Sequence, residues 1–550
     1  MHQPISRRRL LQGSAAAAAA VGISRFTALS YGQIVGSNND IRIAVIGFNG
    51  RGNSHIDAWR KIKGVRLVGL CDADKAVLER GYKRVMAKAP ANQPATQPSK
   101  AATSELHASA APPRIEKYSD LRKLLDNKDI DAISTATPNH WHALVTVWGC
   151  QAGKDVYVEK PTCHEIWEGR QAVDAARKYN RIVQAGTQSR SSRSLTEAVE
   201  WIQAGNLGKI KIARGLCYKR RGSIGKLVGE PKVPETVDLD LWCGPSPLEK
   251  PHREHFHYDW HWFWQTGNGD IGNQGIHQMD VARWGLGKNE LAPSVISVGG
   301  RFGYDDDGQT PNTQYAIHNY GDSLLIFEVR GLPTHPGSPR MDRYRPSILA
   351  KLDAKADPSK SGSTTKSSSA GKGKAEGESV GTVIECENGF LSVPAEDTNS
   401  GTTAYDNKGE EIRKFNEKGG KAEPHFQGDH FANFIDAVRS RKVSDLHADI
   451  EKGFLSSALC HTSNISYRLG QKADPDAIKA AMKADAAAMD TFERFKEHLA
   501  ANNIDISMDK ATLGMPLKVD TKAERFIDNA EANALVKRSD RAPFVVPDKL

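Results

Sequence analysis

The stretch Ile41-Arg42-Ile43-Ala44-Val45-Ile46-Gly47-Phe48-Asn49-Gly50-Arg51-Gly52 decides the fold. A short apolar run of strand character passes directly into a glycine-rich turn, and a helix-like pattern follows. Glycines at such a turn permit a sharp reversal and let backbone N–H groups approach a pyrophosphate at a helix N-terminus. The middle position of the usual G-x-G-x-x-G spacing holds Asn49, a residue that tolerates a left-handed backbone, and Gly50 adds a glycine beside it. The next apolar run, Val65 to Leu70, ends in Cys71-Asp72, 25 residues after Gly47. That is close to the spacing at which an acidic side chain meets the adenosine ribose of a dinucleotide. A carboxylate there repels a 2′-phosphate, so NAD is expected in preference to NADP.

Outward from this unit the same rhythm continues. Ile130 to Ala136, Asp155 to Val158 and Arg181 to Ala185 read as further strands, with helices at Ser119 to Leu125, where Ser119 is the expected N-cap, and at His140 to Ala152, closed by Gly153. Strands alternating with helices predict βαβ units and a parallel sheet. After Lys209 the pattern changes to strand-like runs with little helix between the later ones: 210–218, 295–301, 323–330, 380–387 and 390–393. The fold class is therefore α/β, an N-terminal Rossmann dinucleotide-binding domain followed by an α+β domain with a largely antiparallel open sheet. The expected boundaries are 41–190 for the first domain, with a mobile loop at 87–114, and 191–473 for a substrate and oligomerisation domain, with a low-complexity loop at 351–379. A helical extension and tail at 474–550 is expected to pack back across the domains.

Composition limits the function classes. The chain has 550 residues, 39% of them hydrophobic, and seven cysteines, too few for a disulfide-stapled framework. No run of about 18 apolar residues occurs, so no transmembrane span is expected. The net charge of +9 includes Arg7, Arg8, Arg9 and Arg25 in a segment without Asp or Glu; without those four the balance would be +5. Ser6-Arg7-Arg8-Arg9-Leu10-Leu11, an Ala-rich stretch to Ile23 and the small residues of Ala28-Leu29-Ser30 resemble a twin-arginine signal peptide over residues 1–30, followed by a linker at 31–40. Its expected partner is the twin-arginine export machinery and its expected destination the periplasm. The tract 351–379 has six lysines against four acids, the balance of a solvated loop rather than a nucleic-acid site.

The chemistry-bearing residues sit where such sheets bind ligands, at the carboxyl ends of the strands. Thr137-Pro138-Asn139 and Glu159-Lys160-Pro161 both end predicted strands, and His142 and Gln188 complete the cofactor-site candidates, which are Gly47, Phe48, Asn49, Gly50, Arg51, Gly52, Asp72, Thr137, Pro138, Asn139, His142, Glu159, Lys160 and Gln188. A lysine at that place can meet a substrate hydroxyl, its pKa lowered by burial and by a positive nicotinamide ring. Gly269 to Asp280 brings Asn273 and His277 to a four-residue spacing, one face of a helix. Alcohol oxidation needs a proton acceptor, which a histidine supplies. Upstream, Phe256 to Trp264 concentrates aromatics; Tyr258, Trp260, Trp262 and Trp264, with Asp280, are the substrate-site candidates, since aromatic faces stack on sugar rings. His252, His255, His257 and His261 lie in the same region, but no cysteine or paired carboxylate completes a ligand set, and no metal is expected.

Together these ordered motifs resemble the Gfo/Idh/MocA family, the glucose-fructose oxidoreductase and inositol dehydrogenase group, from about Ile41 to His461. In that family the lysine of the Glu-Lys-Pro motif and the histidine of an Asp-x-x-x-His motif lie beside the nicotinamide, which implies Lys160 and His277 here. The family's aspartate is Asn273 in this chain. Gly-Asn-Gln-Gly-x-His, the 425–441 helix and the long tail resemble the exported subgroup of planctomycete-type bacteria. The resemblance implies an NAD(P)-dependent oxidoreductase acting on a sugar, glycoside or polyol hydroxyl, with tightly bound, internally recycled NAD and a homo-oligomer. Two alternatives stand beside it: a redox-neutral NAD-dependent glycosidase, and a non-catalytic sugar-binding protein, to which the loss of the aspartate points.

Overall fold

The computed structural model describes residues 40–87, 115–346, 349, 377–395, 401–415 and 426–550. The expected signal peptide, most of the 31–40 linker and most of the two expected loops lie outside those residues. Apolar strands β1 (Ile41–Ile46), β2 (Val65–Cys71), β4 (Ala132–Thr135), β5 (Asp155–Val158) and β6 (Val183–Ala185) match the expected runs, and a short β3 (Glu116–Tyr118) joins them. They form a six-stranded sheet in the order β3-β2-β1-β4-β5-β6, parallel at every pairing. This is the doubly wound order whose switch point lies between β1 and β4. β3 escapes the sequence reading because its three residues, Glu-Lys-Tyr, carry no apolar run. The helix expected from Ser119 starts one residue later, capped by Asp120, whose carboxylate accepts from Arg122 N–H at 2.9 Å.

The first sheet draws part of its core from far along the chain. The helix Phe426–Ser440 returns to it, and Phe431 stacks on Tyr157 with ring centroids 4.7 Å apart. Phe434, Ile435, Ala437 and Val438 are buried in the same cluster as Ile43, Val45 and Trp59.

The second sheet is built on β7 (Ile210–Tyr218), β8 (Ser294–Gly300), β9 (Thr313–Asn319), β10 (Leu324–Arg330), β11 (Val380–Cys386), β12 (Gly389–Pro394), β13 (Thr402–Asp406) and β14 (Glu411–Phe415). Their order is β14-β13-β12-β11-β7-β10-β9-β8. β7 and β10 run parallel and the other neighbours antiparallel. β9 was not expected, because its inner positions are polar. Gln314 donates to Ser297 Oγ of β8 at 3.0 Å and to Asn464 Oδ1 of helix Ile450–Arg468 at 3.5 Å, and His318 pairs with Ser463 Oγ of the same helix at 2.9 Å.

Strand alternation sends Leu325, Phe327 and Val329 to the face covered by helices Gly275–Gly285 and Ile450–Arg468, and Tyr315, Ile317 and Ile326 to the other face. That other face is covered by the tail helices Pro475–Met482 and Ala486–Ala501, through Ile478, Met482, Phe492, Phe495 and Leu499. The contact also buries charge. Glu328 accepts from Arg494 twice at 2.7 Å, from Tyr218 Oη at 2.7 Å and from Arg214 at 3.3 Å. Burial opposes its ionisation, but the Arg494, Arg330 and Arg214 charges outweigh burial and hold its carboxyl well below the usual range. Among the described residues no helix is long and apolar enough to cross a membrane. All seven cysteines are unpaired, six of them buried.

Removing the Glu328 charge leaves three buried guanidinium groups short of a partner. Glu328→Gln is expected to destabilise the protein by about 3–5 kcal/mol, read as a lower urea midpoint at pH 7. The wild-type margin from this carboxylate is present at neutral pH and is lost as the pH falls towards its depressed pKa.

Candidate active site

The switch point of the first sheet opens onto a cavity of about 310 Å³. Its floor is the glycine-rich turn. Gly47 has φ +73°, and a Cβ there would lie 2.8–2.9 Å from Thr137, so both backbone and space require glycine. Gly52 is required by contact alone, since a Cβ would lie 2.1 Å from the Gly47 carbonyl oxygen as helix Gly52–Trp59 closes on the strand. Gly50 meets nothing within 4 Å. Asn49 does not take the left-handed backbone anticipated for it; its amide oxygen accepts from Arg80 at 2.8 Å on the surface. Phe48 anchors the turn, fully buried against Gly81, where a Cβ would lie 2.3 Å from the ring.

Asp72 closes the β2 end of the cavity. Its carboxylate accepts from Phe48 N–H at 3.1 Å and Asp74 N–H at 3.0 Å. Burial pushes its pKa up to about 6 against the pull of those two donors. On the β5 side, Glu159 accepts from Arg51 Nε at 2.9 Å, from His55 Nε2 at 3.1 Å and from Gln188 at 3.1 Å. Burial would raise its pKa, yet the charges of Arg51 and Lys160 and the His55 hydrogen bond hold it well below the ordinary value. Burial keeps His55 neutral; with Nε2–H donated to Glu159, its Nδ1 accepts from Ser134 Oγ at 2.8 Å.

The expected helix from Gly269 is two helices, Gly269–Asn273 and Gly275–Gly285, joined at Gln274. At the junction His277 N–H turns to the Gln274 carbonyl at 3.2 Å. The Asn273 carbonyl accepts instead from Lys160 Nζ at 2.8 Å, which fixes the ammonium across the cleft between the domains. Lys160 and Asn273 line the cavity together with Thr137, Pro138, Asn139 and His142. His277, half-buried, follows Asn273 by one helical turn. Its Nδ1 is buried without a hydrogen-bond partner, and burial, then the Lys160 charge, pushes its pKa down to about 3.

Several candidates hold other posts. Gln188 is buried between Glu159 and the Tyr157 hydroxyl, so it braces Glu159 rather than facing a cofactor. Asp280 is 1% exposed and receives Arg190 through two bonds of 2.7 and 2.8 Å and a Ser456 hydroxyl at 2.6 Å. It is an internal counter-charge, not a substrate contact. Of the aromatics, Tyr258 and Trp260 line the cavity. Trp262 is buried beneath Arg221, and Trp264 lies under Arg468 at 5.3 Å; both are packing residues of the second domain. The four neighbouring histidines have four different partners: Asp307 for His252, Asp259 for His255, Asp74 for His257 and the Tyr258 carbonyl for His261. Among the described residues no group of three side chains could hold a metal ion.

Sequence reasoning missed the part of the wall contributed by the loop after β7. Val237 forms a bridge with Asp74, Lys75 N–H donates to Thr236 at 2.9 Å and His257 meets the Asp74 carboxylate at 2.9 Å, so this loop is stitched to the end of β2. Trp242, His257 and His261 thereby reach the cavity. The tail braces the same loop and the first-domain helix Asn139–Gln151 beside it: Arg541 donates to the Gly244 and Ser246 carbonyls and Phe544 meets Trp141 of that helix edge-on at 5.5 Å. Only the aromatic density of 256–264 signalled any of this.

These residues fit a dinucleotide. The N–H groups of Asn49 and Gly50 take no partner from the described residues, and the space above Gly50 is open, as a pyrophosphate at a helix N-terminus requires. Asp72 keeps lone pairs for ribose hydroxyls beyond the two it uses.

The comparisons agree with this geometry. A model of the Gfo/Idh/MocA oxidoreductase family, NAD-binding Rossmann fold, matches residues 41–187, and a model of that family's C-terminal alpha/beta domain matches 204–324. Among curated proteins, a glycosyl hydrolase family 109 protein of Shewanella baltica (strain OS185) is 28% identical over 195 residues, 32% of this chain and 38% of that protein. The levoglucosan dehydrogenase of Pseudarthrobacter phenanthrenivorans is 27% identical over 184 residues, 33% of this chain and 39% of that protein. The chain thus spans about two fifths of the length of these relatives. Among solved structures, the WlbA dehydrogenase of Bordetella pertussis in complex with NADH and UDP-GlcNAcA matches with TM-score 0.50 and 17% identity, over 78% of this chain and 97% of that one. A levoglucosan dehydrogenase in complex with NADH and levoglucosan matches with TM-score 0.51 and 15% identity, over 77% and 96%. The two family domains follow one another here in the order that the glycine-rich turn, Asp72, the Glu159-Lys160-Pro161 segment and the second sheet require, and the chain belongs to the Gfo/Idh/MocA oxidoreductase family, with its NAD-binding Rossmann domain at the N-terminal side.

Proposed function

We propose that this protein oxidises a hydroxyl of a sugar, glycoside or related polyol, with NAD as the hydride acceptor. The observation that carries the reading is the convergence on one cavity of the glycine-rich turn, Asp72, Lys160 and the histidine- and aromatic-rich loop of the second domain. Bound at the glycine-rich turn, NAD supplies the acceptor for the hydride that leaves the substrate carbon. Lys160 Nζ, fixed by the Asn273 carbonyl, meets the hydroxyl that loses its proton. His277, neutral and half-buried, takes that proton and releases it to solvent, because its depressed pKa prevents it from keeping one. Asn273 positions the lysine through its backbone, so the amide in place of an aspartate leaves this arrangement intact and weighs against a non-catalytic binder.

The names of the glycosyl hydrolase family 109 relatives favour one second reading, a glycosidase in which oxidation is transient and no net NADH forms. A keto-sugar or lactone product supports the dehydrogenase; a cleaved glycoside with unchanged NAD supports the glycosidase. The twin-arginine segment adds a further element: export of a folded, NAD-loaded protein to the periplasm, where the cofactor is recycled within each cycle, its hydride passing to a second, carbonyl-bearing substrate in the dehydrogenase or back to the sugar in the glycosidase. Changing Arg7 and Arg8 together to lysine is expected to retain the protein in the cytoplasm, checked by fractionation. NADP is disfavoured by Asp72.

Lys160→Met is expected to lower turnover about 10²–10⁴-fold while NAD stays with the purified protein; unchanged turnover on every active sugar would remove the site. Because His277 works in its neutral form, the acid limb of kcat/KM is expected well below pH 6, and a limb at the free-histidine value near 6.5 would contradict the assignment. Asp72→Ala is expected to narrow the preference for NAD over NADP at least about tenfold by removing a charge beside the 2′ position. In the wild type that preference is expected to weaken below about pH 6, where the carboxyl takes up its proton; both are read from cofactor titrations.

A further inference from the structure

One side chain on the cavity wall has no part in the scheme above. His261 lines the cavity with Lys160 and Asn273, on the short 3₁₀ turn Asp259–Trp262. Its ring lies flat on Trp260, with centroids 3.6 Å apart and an interplanar angle of 21°. The Trp260 face so covered is not open to a sugar ring, and Trp260 serves there as a platform for the imidazole. His261 Nδ1 is 2.6 Å from the Tyr258 carbonyl oxygen. A carbonyl only accepts, so Nδ1 carries the proton of the neutral ring and Nε2 carries a lone pair. Nε2 has no hydrogen-bond partner among the described residues.

The turn that presents this ring is held from several sides. Thr266 Oγ1 donates to the Trp260 carbonyl at 2.8 Å. Gly267 packs so closely that a Cβ would lie 2.5 Å from the His261 carbonyl oxygen and 2.6 Å from its Cα. Buried Asp259 is tied to His255. An acceptor on so fixed a turn discriminates ligands, because a hydroxyl that reaches it gains a hydrogen bond at little ordering cost. Burial, then the nearby charges of Lys160 and Arg221, keeps the ring neutral, its pKa near 3. The lone pair is therefore available throughout the neutral range.

We infer that His261 is a specificity-determining substrate contact, its Nε2 accepting a hydrogen bond from one hydroxyl of the sugar or polyol other than the one oxidised. This rests on the proposed reading that the cavity takes a polyhydroxylated substrate. Lys160 and His261 then fix two separate hydroxyls, which sets the carbon presented for oxidation.

The test compares NAD-loaded wild type, His261→Phe, which keeps a flat ring on Trp260 but removes the acceptor, and His261→Gln, which restores an amide acceptor. Binding is measured by calorimetry, and kcat and KM by product analysis, with a sugar that the wild type binds and with each of its mono-deoxy analogues. Bound NAD, quantified in every sample, reports on folding independently of the substrate. The expected result is a loss of about 10- to 100-fold in affinity and kcat/KM for His261→Phe, carried mainly by KM and partly recovered in His261→Gln. For one deoxy analogue the wild-type and His261→Phe values should coincide. Equal losses with the parent and every analogue, or no loss, overturn the inference. If the binding pattern appears without turnover by the wild type, the contact stands and the oxidoreductase reading falls; normal turnover with an unaffected His261→Phe does the reverse.

Discussion

The site depends on one buried carboxylate. Glu159 gathers Arg51 of the glycine-rich turn, His55 of the first helix and Gln188 beyond β6 around a single side chain that is 3% exposed. A charge so placed is tolerable only with compensation from every side. The compensating groups are therefore held wherever the carboxylate holds them. The turn that faces the pyrophosphate and the strand end that carries Lys160 cannot shift independently, because the residue before Lys160 is the anchor of both. In this way the Glu159-Lys160-Pro161 segment acts as the joint between the cofactor site and the proposed chemistry, and Glu159 works behind the cavity wall as much as on it.

The second domain completes the cavity from the opposite side. Asn273 contributes a carbonyl left over by the break between two helices, and the loop after β7 contributes Tyr258, Trp260 and His261 while stitched to Asp74. The tail strengthens both halves of the arrangement. Its helices cover the outer face of the second sheet around the Glu328 cluster, and its last residues brace the Trp141 and Trp242 wall. The outer sheet face over β8 to β10 is thereby covered from within this chain.

Much of the first domain was legible because its signals are local. A strand running into Gly47, an acidic residue at the end of β2 and a lysine at the end of β5 are each read within a few positions. β9 was not legible, since Gln314 and His318 look like surface residues until helix Ile450–Arg468 supplies their partners 145 or more positions away. Asp280 and Gln188 were misassigned because their partners are not neighbours in sequence: Arg190 lies against Asp280 from 90 positions upstream, and Gln188 is taken up by Glu159 and Tyr157. His277 and Lys160 were expected together at one site, but the helix break that hands the Asn273 carbonyl to Lys160 has no sequence mark beyond the glycines at 272 and 275. His261 was lost among four neighbouring histidines that chemistry alone could not separate.

The proposed function turns on hydride passing from a substrate carbon to NAD held in this cavity. It is tested most directly by turning over a sugar or glycoside deuterated at successive ring carbons on the NAD-loaded protein, quenching within one cycle and weighing the bound cofactor by mass spectrometry. One labelled position is expected to pass its deuterium to bound NADH, which then weighs one mass unit above the unlabelled form. Turnover with no deuterium in the cofactor from any carbon would contradict it.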